Sequence, residues 1–284
     1  MAPKKYIEKM VKAYERLFGE KPRQNFSSPL EKNDHPELDM SDLLDTDGIK
    51  KYQSMVGAMQ WAVSIGRLDI TTAVMTMSSF RVAPRKGHLE RVKRIYGYLL
   101  RFKGATICFV TEEPDFSALP VQHYDWMYTV YGDVKELVPQ DIPEPLGKCV
   151  VTVSYVDANL FHDIITGRSV SGILHMLNKT PIKYFSKKQG TVETATYGSE
   201  FVAARIATEQ IMDLRIMLRY LGVPIREVSY LFGDNKSVVD TSSIPHFKLH
   251  KRHMALSFHR VREAIVSKML YFGFLPGPKI LWIF

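Results

Sequence analysis

The sequence predicts an α/β protein in two parts: a mainly helical region, then a domain built on a mixed five-stranded sheet with helices. Three observations predict it. Up to about residue 100 the apolar residues recur at helical spacing. After about residue 150 short apolar runs alternate with long helical patterns, and between the two lies a stretch dense in proline and aromatic residues.

Residues 3 to 18 read as a helix with Tyr6, Met10, Ala13 and Leu17 on one side. A Pro- and Ser-containing loop follows to about Pro36, and the acidic stretch from Glu37 to Asp47 reads as exposed. Two or three helices are expected between Tyr52 and Leu100, with Met55, Met59, Val63, Val74 and Met77 as packing stripes. Methionines at that spacing suit core filling. Phe80 to Pro84 stops one helix and Gly87-His-Leu starts the next.

From Thr111 to Lys148 the composition changes, with Glu112-Glu-Pro114 at one end and Val138-Pro-Gln-Asp-Ile-Pro-Glu-Pro145 at the other. Such proline density favours extended, semi-rigid chain. The expected division is therefore a helical region over 1–110, a linker over 111–147 and a second domain over 148–284. Within the linker, Tyr124, Trp126, Tyr128 and Tyr131 suit either base stacking or a strand packed on its neighbour.

The second domain reads as strands at 150–157, 170–177 and 181–186, a helix at 199–221 and a strand at 228–233. A helix at 250–266 and a strand at 269–275 complete it. Two hairpin-connected strands before alternating helix and strand make a mixed sheet. Met254, Phe258, Val261 and Ile265 form the apolar stripe of the last helix, which leaves Arg252, Arg260 and Arg262 outward.

Composition excludes several classes. No run approaches the roughly 18 apolar residues of a membrane span, and Met-Ala-Pro-Lys-Lys lacks a secretory h-region. Cys108 and Cys149 have no metal-type spacing, which argues against a zinc site or disulfide framework and fits a reducing compartment. The net charge of +8 is uneven: residues 1–148 carry 21 Lys/Arg against 20 Asp/Glu, residues 149–284 carry 17 against 10. A basic surface around a small acidic pocket suits a phosphate polymer; the plainer alternative is a basic domain with ordinary solvated faces.

Three acids stand out in that basic half. Asp157 closes the run Val-Thr-Val-Ser-Tyr-Val, Glu200 opens a long helical pattern, and Asp234 ends the run from Val228. Carboxylates at two strand ends and a helix start can converge on one crevice outside the carboxyl ends of the strands. Hard divalent cations such as Mg²⁺ take oxygen ligands of this kind. Each acid also has a plainer reading, as a turn former before Asn235 or a favourable charge in a first helical turn.

The words Tyr155-Val-Asp-Ala158, Gly167-Arg-Ser-Val-Ser-Gly172, Tyr184-Phe-Ser-Lys-Lys-Gln189 and Gly198-Ser-Glu200 occur in that order. Gly233-Asp-Asn-Lys-Ser237, Lys251-Arg-His253, His259-Arg-Val-Arg-Glu263 and Leu275-Pro-Gly277 follow. Together they resemble the ribonuclease H domain of copia-type LTR retrotransposon polyproteins. Tyr52-Gln-Ser-Met-Val-Gly-Ala58, Gly66-Arg-Leu-Asp-Ile70, Phe80-Arg-Val-Ala-Pro84, His88 and Lys93-Arg-Ile-Tyr-Gly-Tyr-Leu99 resemble the reverse transcriptase thumb and connection of the same polyprotein. The palm's paired-aspartate motif is not present in this sequence, so polymerase activity is not available to it by itself.

The resemblance implies a ribonuclease H-like fold that cuts the RNA strand of RNA–DNA hybrids during reverse transcription. Asp157, Glu200 and Asp234 would be catalytic and would bind two Mg²⁺ ions, with Mn²⁺ able to substitute. The Glu in the middle of the order distinguishes this pattern from integrases. Ser186, Lys187, Lys188, Gln189, Asn235, Ser237, Lys251, Arg252 and His253 would contact nucleic acid, although a place on the helix surface or in its packing is the preferred reading for His253 and His259. The implied partners are a hybrid duplex and the polymerase part of the polyprotein, with no membrane. The implied setting is a cytoplasmic virus-like particle, with a nuclear phase as the alternative.

One departure tempers this. The family continues past the Leu-Pro-Gly strand end into a helix bearing a fourth acidic ligand, whereas this sequence reads Gly277-Pro-Lys-Ile-Leu-Trp-Ile-Phe284 and has no acid beyond Glu263. The expectation is a domain without its last helix, with part of the sheet uncovered; spacing supports neither Asp163 nor Glu263 as a substitute. The alternative function is a degenerate retroelement fragment that binds nucleic acid or packs with a polymerase chain without catalysis.

Overall fold

The structure, a computed structural model, describes residues 3–119, 124–249 and 252–276. The chain divides into two units, Met1–Cys108 with Asp163–Thr166, and Phe109–His162 with Gly167–Phe284.

In the first unit α1 (Lys4–Phe18), α2 (Thr46–Ser64), α3 (Thr71–Ser78) and α4 (Lys86–Arg101) surround one core. Ile7, Met10, Val11 and Tyr14 of α1 join Met55, Val56 and Met59 of α2, Val74 and Met77 of α3, and Val92, Ile95 and Leu99 of α4 there. The methionine stripes are core, as their spacing predicts. The Asp45 carboxylate caps α2 by accepting from the Gly48 N–H at 2.8 Å. Gly97 of α4 is demanded by close approach, because a Cβ there would lie 2.0 Å from the Arg23 carbonyl oxygen.

The acidic stretch from Glu37 to Asp47 is mostly exposed, as expected, but acids within it and just before it are paired with α4. Arg91 of α4 holds Asp34 at 2.8 Å and Asp39 at 2.6 Å, and Arg94 reaches Glu31 at 2.7 Å. Burial pushes the Asp39 carboxyl up, but hydrogen bonds from Ser41 and Arg91 outweigh it and hold the group at about 2. Paired charges let these acids pack where free ones would need water.

The second unit contains β1 (Thr152–Asp163), β2 (Arg168–Leu177), β3 (Thr180–Lys188), α5 (Thr196–Tyr220), β4 (Ser229–Gly233), α6 (Lys236–Ser243), α7 (Ala255–Val266) and β5 (Leu270–Phe274). The sheet order is β3-β2-β1-β4-β5. β2 and β3 are antiparallel, while β4 is parallel to both β1 and β5. This is the mixed five-stranded, ribonuclease H-like sheet predicted from sequence. β3 and β5 are its edges; β3 carries Pro181 and the exposed Lys183 and Lys187, whereas β5 is the uncharged Leu-Tyr-Phe-Gly-Phe.

Three elements differ from expectation. β1 runs on to Asp163 after its register with β4 ends at Tyr155–Phe232, so Asp157 lies within the strand rather than at its end. α6 was not predicted; it is short, and Asn235 starts it by accepting from the Val238 N–H at 3.3 Å. The helix expected from residue 250 begins as a single 3₁₀ turn over Arg252–Met254. Residues 277–284, on which the expectation of a missing last helix rests, lie outside the described residues.

Alternation along the strands assigns the two faces. Val156, Ala158, Ile173 and Leu231 pack with Ala203, Ala204 and Ala207 of α5 and Val261 of α7. The opposite set, Val153, Tyr155, Tyr230, Phe232 and Tyr271, packs with Phe116 and Leu119. A cavity of about 490 Å³ lies beside them, lined also by Tyr124 and Trp126.

The described residues of segment 111–147, expected as a connection or Pro-rich linker, are grouped with the sheet. Phe116 sits 4.2 Å from the Tyr230 ring centroid, and Glu136 is clamped by Arg215 and Arg219 of α5. No strand forms between residues 124 and 135. Instead Trp126 and Tyr131 lie over the Arg262 guanidinium at 4.6 and 5.5 Å, with Phe258 at 4.7 Å. Arg262, expected to point outward, is 2% exposed. Its terminal nitrogens donate to the carbonyls of Thr241 and Pro245 at 2.7 Å, and the three rings replace water around the cation.

Under α5 lies a buried polar chain. The neutral His175 ring accepts at Nδ1 from Ser154 Oγ and donates from Nε2 to Gln210 Oε1, each at 2.8 Å. Burial drives the imidazole down to about 4, beyond what the Gln210 hydrogen bond restores. The unfolded ring gains a proton near pH 6.5 that the folded one refuses. Stability is thus lost as pH falls from about 6.5 to 4, by roughly 3 kcal/mol. Urea unfolding across that range should show this slope in the parent protein and its loss in His175→Leu.

Candidate active site

Two of the three acids are placed by the sheet itself. Carrying the β1–β4 register two residues beyond Tyr155–Phe232 sets Asp157 beside Asp234, which follows β4 directly. The third comes from α5, whose first turn is fixed by Gln189: its Nε2 donates to the Ser199 carbonyl at 2.8 Å and to Ser171 Oγ at 2.9 Å. Glu200 then reaches β1, where its Oε1 accepts from the Ala158 N–H at 3.2 Å.

One oxygen from each of Asp157, Glu200 and Asp234 lies within 4.8 Å of the others. Glu200 is 7% exposed. Burial, then the charges of Asp157 and Asp234, push its carboxyl up to about 9. Burial, followed by Asp234, also raises Asp157. Three carboxylates held together against their own repulsion form an all-oxygen donor set, which fits a hard divalent cation. Asp163 accepts from the Thr166 N–H at 2.9 Å and Glu263 lies 3.8 Å from Arg260; neither belongs to the cluster.

The proposed nucleic-acid contacts divide. Lys187, Ser237, Arg252 and His253 are exposed, and Lys188 and Asn235 are half-buried. Ser186 and Gln189 are buried, which corrects their assignment: Gln189 is spent on fixing α5. Lys251 lies outside the described residues. Sequence reasoning missed Glu193, a buried carboxylate 3.2 Å from His253 Nε2. Gly198 makes room for it, since a Cβ there would lie 2.3 Å from Glu193 Oε2. Nothing in the Thr191-Val-Glu-Thr194 loop marks this acid in advance.

No protein-family model matches the chain. It is 26% identical over 219 residues to the retrovirus-related Pol polyprotein from transposon TNT 1-94 of Nicotiana tabacum, covering 77% of this chain and 14% of that protein. The Pol polyprotein from transposon RE1 of Arabidopsis thaliana is 23% identical over 220 residues, 78% of this chain and 13% of that one. The secreted RxLR effector protein 161 of Plasmopara viticola is 27% identical over 168 residues, 59% of this chain and 94% of its own. The chain thus spans about a seventh of the length of the Pol polyproteins it matches. Among solved structures, the N-terminal RNase H domain of a Mycobacterium tuberculosis protein aligns with a TM-score of 0.37 at 12% identity, covering 47% of this chain and 87% of that one. Over three quarters of its length, the chain resembles the retrovirus-related Pol polyproteins of plant transposons.

Proposed function

We propose that the second unit is a metal-dependent ribonuclease H that cuts the RNA strand of RNA–DNA hybrids during reverse transcription of a retroelement. The convergence of Asp157, Glu200 and Asp234 carries this reading, and the Pol polyprotein relatives support its setting. Asp157, Glu200 and Asp234 would hold two Mg²⁺ ions, with Mn²⁺ able to replace them. When bound, such ions supply Lewis-acid stabilisation and an activated water for phosphodiester hydrolysis.

The chain's own residues do the rest. The Ala158 amide orients Glu200, and the Gln189 hydrogen bonds keep the start of α5 in place. Lys187, Ser237, Arg252 and His253 occupy exposed positions suited to phosphates and 2′-hydroxyls. The polymerase part of a polyprotein is the proposed partner and a virus-like particle the proposed location. No helix among the described residues is long and apolar enough to cross a membrane.

A labelled RNA–DNA hybrid incubated with Mg²⁺ or Mn²⁺ tests the proposal. The parent protein should cut the RNA strand alone, and Asp157→Asn should reduce cutting to background. Cutting that survives the substitution would remove the acids from the chemistry. One observation favours a second reading, hybrid binding without catalysis: the cluster holds three carboxylates, not four, among the described residues. Retained binding with no cutting in either metal would select it.

A further inference from the structure

Glu193 has no part in the acid cluster, yet it is a buried carboxylate in the loop that leads into α5. Burial of a charge calls for a partner. Among the described residues its ion-pair partner is His253, whose Nε2 lies 3.2 Å from Glu193 Oε2. The two sit on different elements. Glu193 precedes α5, and His253 belongs to the 3₁₀ turn that precedes α7. That turn is anchored, because the neighbouring Met254 is buried in the core shared with Phe201 and Ala204 of α5.

The start of α5 has little else to hold it. Its N-cap is Ala195, no side chain caps it, and its first turn carries no acid. The Glu193 carboxylate meets this turn directly: a Cβ on Gly198 would lie 2.3 Å from its Oε2 and 2.9 Å from its Cδ. A negative charge there complements the positive end of the helix dipole. Gln189 holds the same turn at one point, the Ser199 carbonyl. Glu200 is the fifth residue of α5, so its own N–H rests on the Thr196 carbonyl in that turn. Fraying of the turn would therefore displace Glu200.

We propose that Glu193 and His253 form a positioning pair, which clamps the first turn of α5 to the turn before α7 and so holds Glu200 where a metal ion can use it. This role rests on the ribonuclease reading of the acid cluster. Neither residue is a ligand; both lie outside the group of oxygens that Asp157, Glu200 and Asp234 bring together. The His253 side chain is 60% exposed, so removing it opens no cavity and takes away only the clamp.

Two measurements on the whole chain test it. In metal-free buffer, amide hydrogen exchange over residues 199–203 should be at least ~10-fold faster in His253→Ala than in the parent, and unchanged in β2 and the first unit. Mn²⁺ titration followed by electron paramagnetic resonance should show about 10-fold weaker binding in both His253→Ala and Glu193→Gln, the low end for residues that orient a metal ligand. The double variant should be no worse than either single one, and His253→Arg, which restores a cationic donor, should recover most of the affinity. Faster exchange throughout the protein would make the pair a general stability contact and overturns the proposal. Unchanged Mn²⁺ affinity in both variants, with the parent binding the ion, overturns the positioning role alone. A parent that binds no Mn²⁺ overturns the ribonuclease reading and the proposal with it. Weaker binding of an RNA–DNA hybrid in His253→Ala alone, with Mn²⁺ affinity unaltered, would make His253 a nucleic-acid contact and also overturns it.

Discussion

Glu136→Ala is expected to lower the stability of the second unit by about 3–5 kcal/mol, the usual cost of removing one partner from a buried ion pair. The carboxylate accepts from Arg215 Nε at 2.8 Å and Nη2 at 2.7 Å, and from both terminal nitrogens of Arg219 at 2.6 and 2.7 Å. Arg215 is 1% exposed, so no water can replace the lost acid without opening the fold. The same guanidinium donates to Ser229 Oγ and the Glu227 carbonyl, at the start of β4. Slack in Arg215 would therefore reach β4, the strand that Asp234 directly follows.

The pH dependence has a definite sign. Burial pushes the Glu136 carboxyl up, but hydrogen bonds from Arg215 and Arg219 and their charges prevail and hold it at about 2. A depressed acid stabilises fully above its unfolded value, near 4.5, and loses that contribution as pH falls towards 2. Urea unfolding should show the parent losing stability through this window, while Glu136→Ala starts low and loses less. A difference under about 1 kcal/mol at pH 7 would mean that segment 111–147 is not anchored through Glu136.

Glu200→Gln is expected to act in the opposite direction. The folded protein keeps a proton on Glu200 up to about pH 9, which the unfolded chain releases near 4.5. Metal-free stability therefore falls as pH rises through that window. At about 1.4 kcal/mol per pH unit, holding that proton at pH 7.5 costs up to ~4 kcal/mol. Gln retains an acceptor for the Ala158 amide and needs no proton. The substitution should recover roughly half of the cost, about 2 kcal/mol, in chelator-treated protein. Mg²⁺ should then reverse the ranking: saturating metal stabilises the parent by about 2.7 kcal/mol at one hundred times Kd and leaves the variant nearly unmoved. Thermal melts with and without Mg²⁺ decide it. Equal Mg²⁺ stabilisation of both proteins would exclude Glu200 from metal binding, whatever the hybrid assay shows.

What could be read from sequence was what local pattern encodes. The strands are short apolar runs and α5 is a long amphipathic pattern, which set Glu200 early in α5 and Asp234 just after β4, while Asp157 lies inside a β1 longer than its apolar run. Order along the chain thus indicated the sheet and the grouping of Asp157, Glu200 and Asp234. Less was legible where a residue's partner is distant. Arg262 looks like a solvated helix charge until Trp126 and Tyr131, over 130 positions earlier, close over it. Glu136 looks like a linker acid until two turns of α5 supply its cations. Prolines did signal extended chain across 111–147, but extended chain can lie on a sheet as well as hang free. α6 escaped notice because eight residues show too little periodicity, although Asn235 is an ordinary cap.

The two edges of the sheet differ in how they meet other molecules. β3 exposes Lys183 and Lys187 and contains a proline, which makes it a poor template for another chain. β5 has no neighbour on its far side among the described residues, and its five residues carry no charge. Its brevity is its main defence against edge-to-edge pairing. Self-association at high concentration would therefore begin at β5, through backbone pairing with the same strand of a second molecule, and a lysine introduced there would oppose aggregation more than one added to β3.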